Sequence, residues 1–271
     1  MVIFIPTPIG NILDITYRAI ETLKEIEIIF CEDTRVTKNL LKLLQERLDI
    51  TFPNYQLISF NEYNATKRIK EFKSQIEVAK VAFMSDAGMP AISDPGSELV
   101  RFCQENKIEY DFLPGASVAP LVYAASGFES GKFYFYGFLP SKGKSREEEL
   151  KRALKKGIDT IFYEAPHRII NLLELLKEYD INLKVFVAKE LTKKHQRYFF
   201  GEIKEVLEEI RASSTKGEWA VVVEGKEQES FSLELDEILA LDIPPKIKAK
   251  LVAKTTNRPI KECYIELTQK K

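Results

Sequence analysis

Short apolar segments alternate with amphipathic stretches over the first 114 residues, and this alternation constrains the fold more than any other feature of the sequence. Strands are predicted at residues 2–5, 27–31, 56–60, 80–84 and 110–113. Helices are predicted from Thr16, a good N-cap, and over residues 33–48 and 97–106. Strands that alternate with helices predict an α/β lobe with a parallel or mixed sheet.

A second α/β lobe is predicted after Pro114-Gly115-Ala116-Ser117, which is interpreted as the passage between lobes. Its strands are predicted at 133–138, 160–163, 184–189 and 219–224, and its helices at 147–155, 167–179 and 203–211. A polar linker is predicted at 226–232. A helical pair follows, with a helix from Pro244-Pro245, a turn at 255–258 and a helix from Pro259 to Leu267. The predicted domains are 1–114, 115–228 and a helical tail, 229–271.

Composition excludes several classes of protein. Hydrophobic residues make up 45% of the chain and charged residues 30%, as in ordinary globular domains. The N-terminal apolar run ends at Pro6 and no run reaches the roughly 20 residues of a membrane span, so a cytoplasmic location without membrane contact is expected. The three cysteines are widely separated, which argues against disulfides and a structural zinc site.

Three loops rich in Gly, Pro and Asp follow predicted strands of the first lobe. They are Pro6-Thr7-Pro8-Ile9-Gly10-Asn11, Ser85-Asp86-Ala87-Gly88-Met89-Pro90 and Leu113-Pro114-Gly115-Ala116-Ser117. In open α/β sheets, ligands bind at the carboxyl ends of the strands, and glycine lets a ligand approach the backbone closely. One such loop is more often a simple turn, but three in one lobe predict a ligand site.

Familiar catalytic motifs are missing from the sequence. There is no GxGxxG dinucleotide fingerprint and no GxxxxGK[ST] phosphate loop. HExxH, GxSxG and a Cys–His nucleophile pattern are also absent, so neither a metal site nor a covalent intermediate is expected.

Eight ordered strings carry a resemblance to a known family. They are PTPIGNILDITYRAIETL, FCEDTRVTKNLL, FMSDAGMPAISDPGSELV, FLPGASVAPLVYAASGF, YFYGFLPSKGKSREEEL, TIFYEAPHRIINLL, KELTKKHQRYFFGEI and KGEWAVVVEG. Together they closely resemble the bacterial ribosomal RNA small subunit methyltransferase I family, within the tetrapyrrole methylase-like superfamily. The match extends from Ile3 to Gly225, and the tail from Asp242 is similar to the family's C-terminal helical piece.

The resemblance implies 2′-O-methylation of a cytidine ribose in the decoding region of 16S rRNA. It implies two α/β lobes of the tetrapyrrole methylase-like type, with S-adenosylmethionine in the cleft between them, and a homodimer. The cofactor residues that it implies are Pro8, Ile9, Asp86, Met89, Ala116, Ser117, Tyr163 and Leu191. The sequence departs from the family pattern at Val36 and Asn61, where the family usually has histidine, so no imidazole is expected to act there.

Methyl transfer to a ribose hydroxyl needs alignment and a group that takes the proton or stabilises the developing alkoxide. The expected catalytic residues are Glu32, Glu164, His167 and Lys193, and Asp33 and Glu190 are further candidates. His167 begins a predicted helix, so it could equally cap that helix or contact phosphate. Glu32-Asp33-Thr34-Arg35 could equally be an acid–cation network that shapes the cleft.

RNA binding would depend on local charge, because the net charge is −1. Residues 142–156 contain seven basic and three acidic residues, residues 189–197 contain four and one, and residues 242–271 contain eight and three. The expected RNA contacts are Arg35, Lys142, Arg146 and Arg168. The tail could be an RNA-binding appendage, a dimer contact or a folding cap, and Tyr198-Phe199-Phe200 is expected in the core unless a ring stacks on a base.

Two other functions remain open at this point. The first is methylation of a tetrapyrrole or another small molecule in the same lobes, which predicts a cleft for a macrocycle and no basic rim. The second is a non-enzymatic RNA-binding assembly factor, which predicts no affinity for S-adenosylmethionine.

Overall fold

The computed structural model describes residues 1–226, 235–256 and 258–269. The chain divides into two compact units, Met1–Lys226 and Glu227–Lys271. The lobe boundary expected at residues 114 and 115 and the start of the tail at 229 stay predictions. Of the predicted linker at 226–232, all but Lys226 lies outside the described residues, as do residues 233 and 234.

The first sheet is entirely parallel and has the strand order β3-β2-β4-β1-β5. Its strands are β1 (Val2–Ile5), β2 (Ile28–Cys31), β3 (Gln56–Ser59), β4 (Val81–Met84) and β5 (Tyr110–Phe112). The helices of this half are α1 (Tyr17–Leu23), α2 (Thr34–Leu48), α3 (Ala65–Glu71), α4 (Lys73–Val78) and α5 (Gly96–Glu105), with a 3-10 turn at Ile12–Asp14. Thr16 caps α1, since its side chain accepts a hydrogen bond from the Ala19 N–H.

Alternate residues of the central strands point to opposite faces of this sheet. Phe4 and Phe83 pack in the core beneath α5, whereas Ile5 and Met84 pack in the core beneath α1 and α2. The helices that follow the neighbouring strands β1 and β4 therefore cover opposite faces. The chain therefore leaves these two strands toward opposite faces at the carboxyl edge, where such folds open a ligand crevice.

The second sheet is mixed and has the order β6-β7-β10-β8-β9. Its strands are β6 (Phe133–Phe138), β7 (Asp159–Glu164), β8 (Lys184–Lys189), β9 (Arg197–Glu202) and β10 (Trp219–Val223). Only β6 and β7 pair in parallel, and β10 runs antiparallel to both β7 and β8. The helices are α6 (Val118–Ser126), α7 (Lys144–Leu154), α8 (Ile169–Tyr179) and α9 (Ile203–Arg211), with α6 against one face and α8 and α9 against the other.

The described part of the second unit is helical: α10 (Leu235–Ala240), α11 (Pro245–Thr256) and α12 (Ile260–Gln269). Ile238, Ala249, Val252, Ala253 and Cys263 form its small core. None of the helices in the described ranges is long and apolar enough to cross a membrane.

The predicted fold class is confirmed: two α/β halves with mixed helices and sheets, followed by a helical piece. Among the described residues, the elements that were not predicted are α3, α4, α6, β9 and the 3-10 turn at Ile12–Asp14. The expected turn at 255–258 is wrong at its start, because α11 continues through Thr256. Tyr198-Phe199-Phe200 belongs to the edge strand β9, where Phe199 is buried while Tyr198 and Phe200 are 46% and 62% exposed.

Candidate active site

The three Gly/Pro loops of the first half meet at the carboxyl edge of its sheet. The Thr7 N–H donates to the Gly88 carbonyl at 3.0 Å, and the Gly88 N–H donates to the Thr7 carbonyl at 3.1 Å. Gly115 lies so close to Pro6 that a Cβ on Gly115 would come within 2.5 Å of the proline ring. These contacts fix the three loops as one surface.

A loop of the second half contacts the first of these loops. A Cβ on Gly10 would lie 2.5 Å from Lys193 Cγ, and the Asn11 N–H donates to Thr192 Oγ1 at 3.1 Å. Glu190 and Thr192 have φ angles of 52° and 66°, a left-handed conformation that is unfavourable for residues other than glycine and most strained at the β-branched Thr192. Strain of this kind persists only where surrounding contacts enforce it, as the contacts with Gly10 and Asn11 do here.

A cavity of about 470 Å³ lies between the two sheets of the first unit. This volume is within the range of small-molecule sites. Both halves line it: Ile9, Glu32, Ala87, Gly88, Met89, Ile92, Ser93 and Asp94 from the first, and Ser117, Val118, Phe138, Tyr163, Glu164, Ala165, Pro166, Leu191, Glu218, Trp219 and Ala220 from the region after β5.

Gly88 is needed at the cavity wall for two reasons. Its φ of +82° is unfavourable for other residues, and an added Cβ would lie 3.2 Å from Ile9 Cγ2. A side chain at this position would therefore crowd the wall and shift Ile9. The glycine keeps the backbone exposed to whatever the cavity holds.

The charged side chains that line the cavity are all carboxylates: Glu32, Asp94, Glu164 and Glu218. Burial raises the pKa of Glu32, although its Oε1 accepts a hydrogen bond from the Asp86 N–H at 2.9 Å. Burial likewise raises the pKa of Asp94, whose carboxylate accepts from the backbone of Ala91 and Gly96. Glu164 and Glu218 contact cations, but Glu32 and Asp94 have no ion pair within the described part of the chain. The cavity is therefore suited to a cationic ligand.

Aromatic rings form the wall contributed by the second sheet. Tyr163 packs against Phe138 with ring centroids 5.6 Å apart, and burial raises the pKa of Tyr163 to about 12. Trp219 begins β10 at the cavity and its indole N–H donates to the Thr215 carbonyl at 2.9 Å. Flat apolar rings beside carboxylates can hold a cation or a purine.

Comparison with known proteins places the chain in a family. Residues 1–207 match the family model described as Tetrapyrrole (Corrin/Porphyrin) Methylases. The chain is 39% identical over 279 aligned positions to the Ribosomal RNA small subunit methyltransferase I of Helicobacter pylori strain 26695, with 98% of this chain and 97% of the relative covered. Proteins of the same name from Thermotoga maritima and Bacillus subtilis are 44% and 40% identical, with 83% and 86% of this chain and 98% and 76% of the relatives covered. The chain belongs to the ribosomal RNA small subunit methyltransferase I family.

Five of the eight cofactor residues expected for this methyltransferase I family member line the cavity: Ile9, Met89, Ser117, Tyr163 and Leu191. Pro8, Asp86 and Ala116 lie in the surrounding loops and are not among the lining residues. The Asp86 carboxylate is half-buried and accepts a hydrogen bond from the Asp33 N–H at 3.1 Å. Burial raises the pKa of Asp86, and Glu32 presents its side chain to the cavity.

The four expected catalytic residues of this methyltransferase I family member have different surroundings. Glu32 lines the cavity, and His167 is exposed on the turn after β7. Lys193 is bound by Glu190 at 3.0 Å and Glu218 at 2.9 Å. Burial lowers its pKa, but these two hydrogen bonds outweigh burial and raise it, so Lys193 stays a cation. Glu164 lines the cavity, and Arg146 holds it at 2.5 Å in a buried ion pair.

One expected RNA contact is wrong. Arg146 is only 2% exposed, because its guanidinium is buried against Glu164, Asn171 and the Pro140 carbonyl. It cannot reach a phosphate without breaking these bonds. Lys142 is exposed, and Arg35 is exposed but paired with Asp33 at 2.5 Å. Arg168 is half-buried beside Glu164.

Several lining residues were not predicted: Asp94, Val118, Phe138, Glu218 and Trp219. Asp94 could have been found from SDPG, where an Asp before Pro-Gly typically accepts backbone hydrogen bonds. Glu218 and Trp219 reach the cavity because β10 pairs antiparallel with β7, and no local sequence signal predicts this pairing. Within the described ranges, no three His, Cys, Asp or Glu side chains are grouped closely enough to hold a metal ion.

Proposed function

We propose that this protein transfers a methyl group from S-adenosylmethionine to the 2′-hydroxyl of a cytidine in small-subunit ribosomal RNA. The observation that carries the proposal is the carboxylate-lined cavity between two α/β halves, in a chain whose relatives over nearly its whole length are named ribosomal RNA small subunit methyltransferase I. A cytoplasmic location, without membrane contact, and a homodimer are part of the same proposal, and the 16S rRNA or the small subunit is the partner.

The cavity fits S-adenosylmethionine in size and charge. The sulfonium and the ammonium group of this cofactor are cationic, and Glu32 and Asp94 are half-buried carboxylates without an ion pair among the described residues. Ile9, Leu191 and Ala220 supply apolar wall for an adenine ring, and Gly88 leaves room at the backbone. When bound, the cofactor supplies an electrophilic methyl group.

Among the expected catalytic groups, Glu32 is the best placed to accept the proton of the ribose hydroxyl. It lies at the cavity, it has no ion pair with another described residue, and burial raises its pKa toward the range of a useful base. Lys193 remains protonated between Glu190 and Glu218, so its part is to hold Glu218 at the cavity wall. His167 stays a candidate for contact with RNA phosphate.

Methylation of a tetrapyrrole is the second candidate, because the matched family model bears that description. A macrocycle would have to enter the cavity together with the cofactor, and 470 Å³ is little space for both. The names of relatives that cover 98% of this chain favour RNA. A non-enzymatic assembly factor is the third reading, and it predicts that S-adenosylhomocysteine does not bind.

The test is transfer of a radiolabelled methyl group from S-adenosylmethionine to small ribosomal subunits from cells that lack this protein. Ribose methylation is then mapped by mass spectrometry, and a porphyrin precursor is the competing substrate. A labelled cytidine ribose supports the proposal. Label on the porphyrin alone, or a folded protein that fails to bind S-adenosylhomocysteine in calorimetry, would overturn it.

A further inference from the structure

Two arginines and one glutamate form a charge cluster at the end of β7, beside the cavity. The side chains of Arg146 and Glu164 are 3% and 1% exposed, and that of Arg168 is 19% exposed. No other carboxylate of the described chain lies within ion-pair distance of either arginine. One carboxylate faces two guanidinium groups, so the cluster carries a surplus positive charge, which is costly to keep away from water without a second anion.

Arg146 has its donors directed at protein acceptors. Nη2 donates to Glu164 Oε2 at 2.5 Å, Nε donates to Asn171 Oδ1 at 2.9 Å, and Nη1 donates to the Pro140 carbonyl at 3.1 Å. Glu164 is fixed in turn, because its Oε1 accepts from the Ala165 N–H at 2.8 Å. These bonds join the loops after the parallel strands β6 and β7 and hold Glu164 in one orientation.

Arg168 is the member of the cluster whose guanidinium makes no hydrogen bond to another described residue. Its Nε lies 2.8 Å from Glu164 Oε1, but the N–H does not point at that oxygen. This Nε atom is buried and has no acceptor within the described part of the chain. Arg168 ends the turn that begins at Ala165, to whose carbonyl its own N–H donates at 2.9 Å. Glu164, Ala165 and Pro166 line the cavity, so the spare guanidinium stands at its edge.

We infer that Arg168 binds a backbone phosphate next to the acceptor ribose, and that Glu164 and Arg146 are positioning residues that orient it. This inference rests on the proposed function. A ribose in the cavity brings its flanking phosphodiester to the edge, where the carboxylates Glu32, Asp94 and Glu218 would otherwise repel it. The planar fork of an arginine matches two phosphate oxygens, and the charge of Glu164, 2.8 Å from Nε, holds the guanidinium beside the cavity before RNA arrives.

The test compares Arg168→Gln and Arg168→Lys with the unmodified protein in methyl transfer to small ribosomal subunits at several salt concentrations. Arg168→Gln is expected to raise KM for the subunit about tenfold or more and to reduce the slope of log KM against log salt by about 1. Arg168→Lys should keep the salt slope but recover only part of KM, because an ammonium cannot bind in a bidentate manner. The affinity for S-adenosylhomocysteine should stay within about twofold in both variants.

Arg211→Gln is the matched control, since it also removes one guanidinium, here exposed and paired with Glu174 and Glu208. Arg146→Lys tests positioning: it should raise KM while the salt slope stays near that of the unmodified protein. An unchanged KM and slope for Arg168→Gln, or a loss of S-adenosylhomocysteine binding in that variant, would overturn the assignment. Failure of the unmodified protein to methylate subunits would instead refute the proposed function.

Discussion

Thr7 and Gly88 exchange a pair of backbone hydrogen bonds, 3.0 and 3.1 Å long, between the loops that follow β1 and β4. The Thr7 hydroxyl also donates to the Ser85 carbonyl at 3.1 Å, and the Ser85 hydroxyl donates to the Gly88 carbonyl at 3.0 Å. The two loops therefore form a rigid bridge at the point where their helices diverge to opposite faces of the sheet. Ile9 and Gly88 reach the cavity from this bridge.

Gly88→Ala should weaken cofactor binding. The new Cβ would lie 3.2 Å from Ile9 Cγ2, on a backbone with φ of +82°, so the cavity wall must shift. We expect the Kd for S-adenosylhomocysteine, measured by calorimetry, to rise at least about tenfold, the equivalent of about 1.4 kcal/mol.

The control is Gly131→Ala, where φ is +65° and nothing lies within 4 Å of the added Cβ. This variant carries a similar left-handed backbone strain of about 1 kcal/mol, but it leaves the cavity unchanged. Its Tm should fall while its Kd stays within about twofold. Equal Kd values for the two variants would refute the role of Gly88 at the cavity wall.

Glu32→Gln should abolish methyl transfer yet stabilise the fold at neutral pH. Burial raises the pKa of Glu32 in the folded protein, so folding favours its protonated form. Ionisation of Glu32 therefore costs stability above the folded pKa, and this cost disappears as the pH falls below it. Because Gln can still accept from the Asp86 N–H, the substitution keeps that hydrogen bond.

Thermal unfolding between pH 4 and pH 8 measures this effect. The Tm of Glu32→Gln should exceed that of the unmodified protein at pH 8, and the gap should close toward pH 4. The activity of the unmodified protein should fall with decreasing pH at values above the ordinary glutamate pKa of about 4.3. A Tm difference between the two proteins that grows as the pH falls would contradict the raised pKa of Glu32.

The sequence predicted the first half of the fold well because its signals are local. Strands β1, β2 and β4 of the parallel sheet are short, fully buried apolar runs, and the loops after β1 and β4 contain Pro and Gly. Residues of those loops, such as Ile9 and Met89, were therefore predicted at the site and line the cavity.

The missed elements have weak or misleading local signals. Helix α6 contains Pro120, which weakens the helical signal, although a proline in the first turn of a helix costs no hydrogen bond. In the edge strand β9 only Phe199 is buried, so the strand lacks an apolar alternation. Arg146 was predicted on the surface because its neighbours are charged, and only the fold brings Glu164 to it, 18 residues along the chain.

Arg146→Met should destabilise the protein by about 3 kcal/mol or more. The substitution removes three hydrogen bonds and leaves the buried Glu164 carboxylate with the Ala165 N–H and one poorly aligned cation, Arg168. Urea unfolding measures the change. Arg152→Met removes an exposed arginine from the same helix, and its pair with Glu149 is worth little, so it should change stability by less than about 0.5 kcal/mol. Similar losses in both variants would contradict a dominant buried pair.

The three lysines Lys246, Lys250 and Lys254 follow one another at four-residue intervals on α11, which has no acidic residue. All three are exposed, and none has an ion pair with another residue of the described chain. A regular row of unpaired cations on one helix face suits a polyanion, and this favours an RNA-binding role for the tail over a folding cap. If the tail is instead a dimer contact, the molecular mass of the protein in solution should fall on dilution or when these lysines are replaced.

Replacing these three lysines with glutamine should raise KM for the small subunit and reduce the slope of log KM against log salt by about 2 to 3, since each phosphate contact releases close to one counterion. The kcat and the affinity for S-adenosylhomocysteine should not change. The control replaces Lys67, Lys70 and Lys73 with glutamine. These three lysines are exposed near the first sheet, and their replacement removes the same charge. Long-range attraction between protein and RNA depends on total charge and is screened at 0.15 M salt, so it is the same in the two triple variants. Only direct contact of the lysines with phosphate can make their salt slopes differ. Equal salt slopes would therefore show that the row on α11 does not touch RNA, and light scattering would then decide whether the tail is a dimer contact.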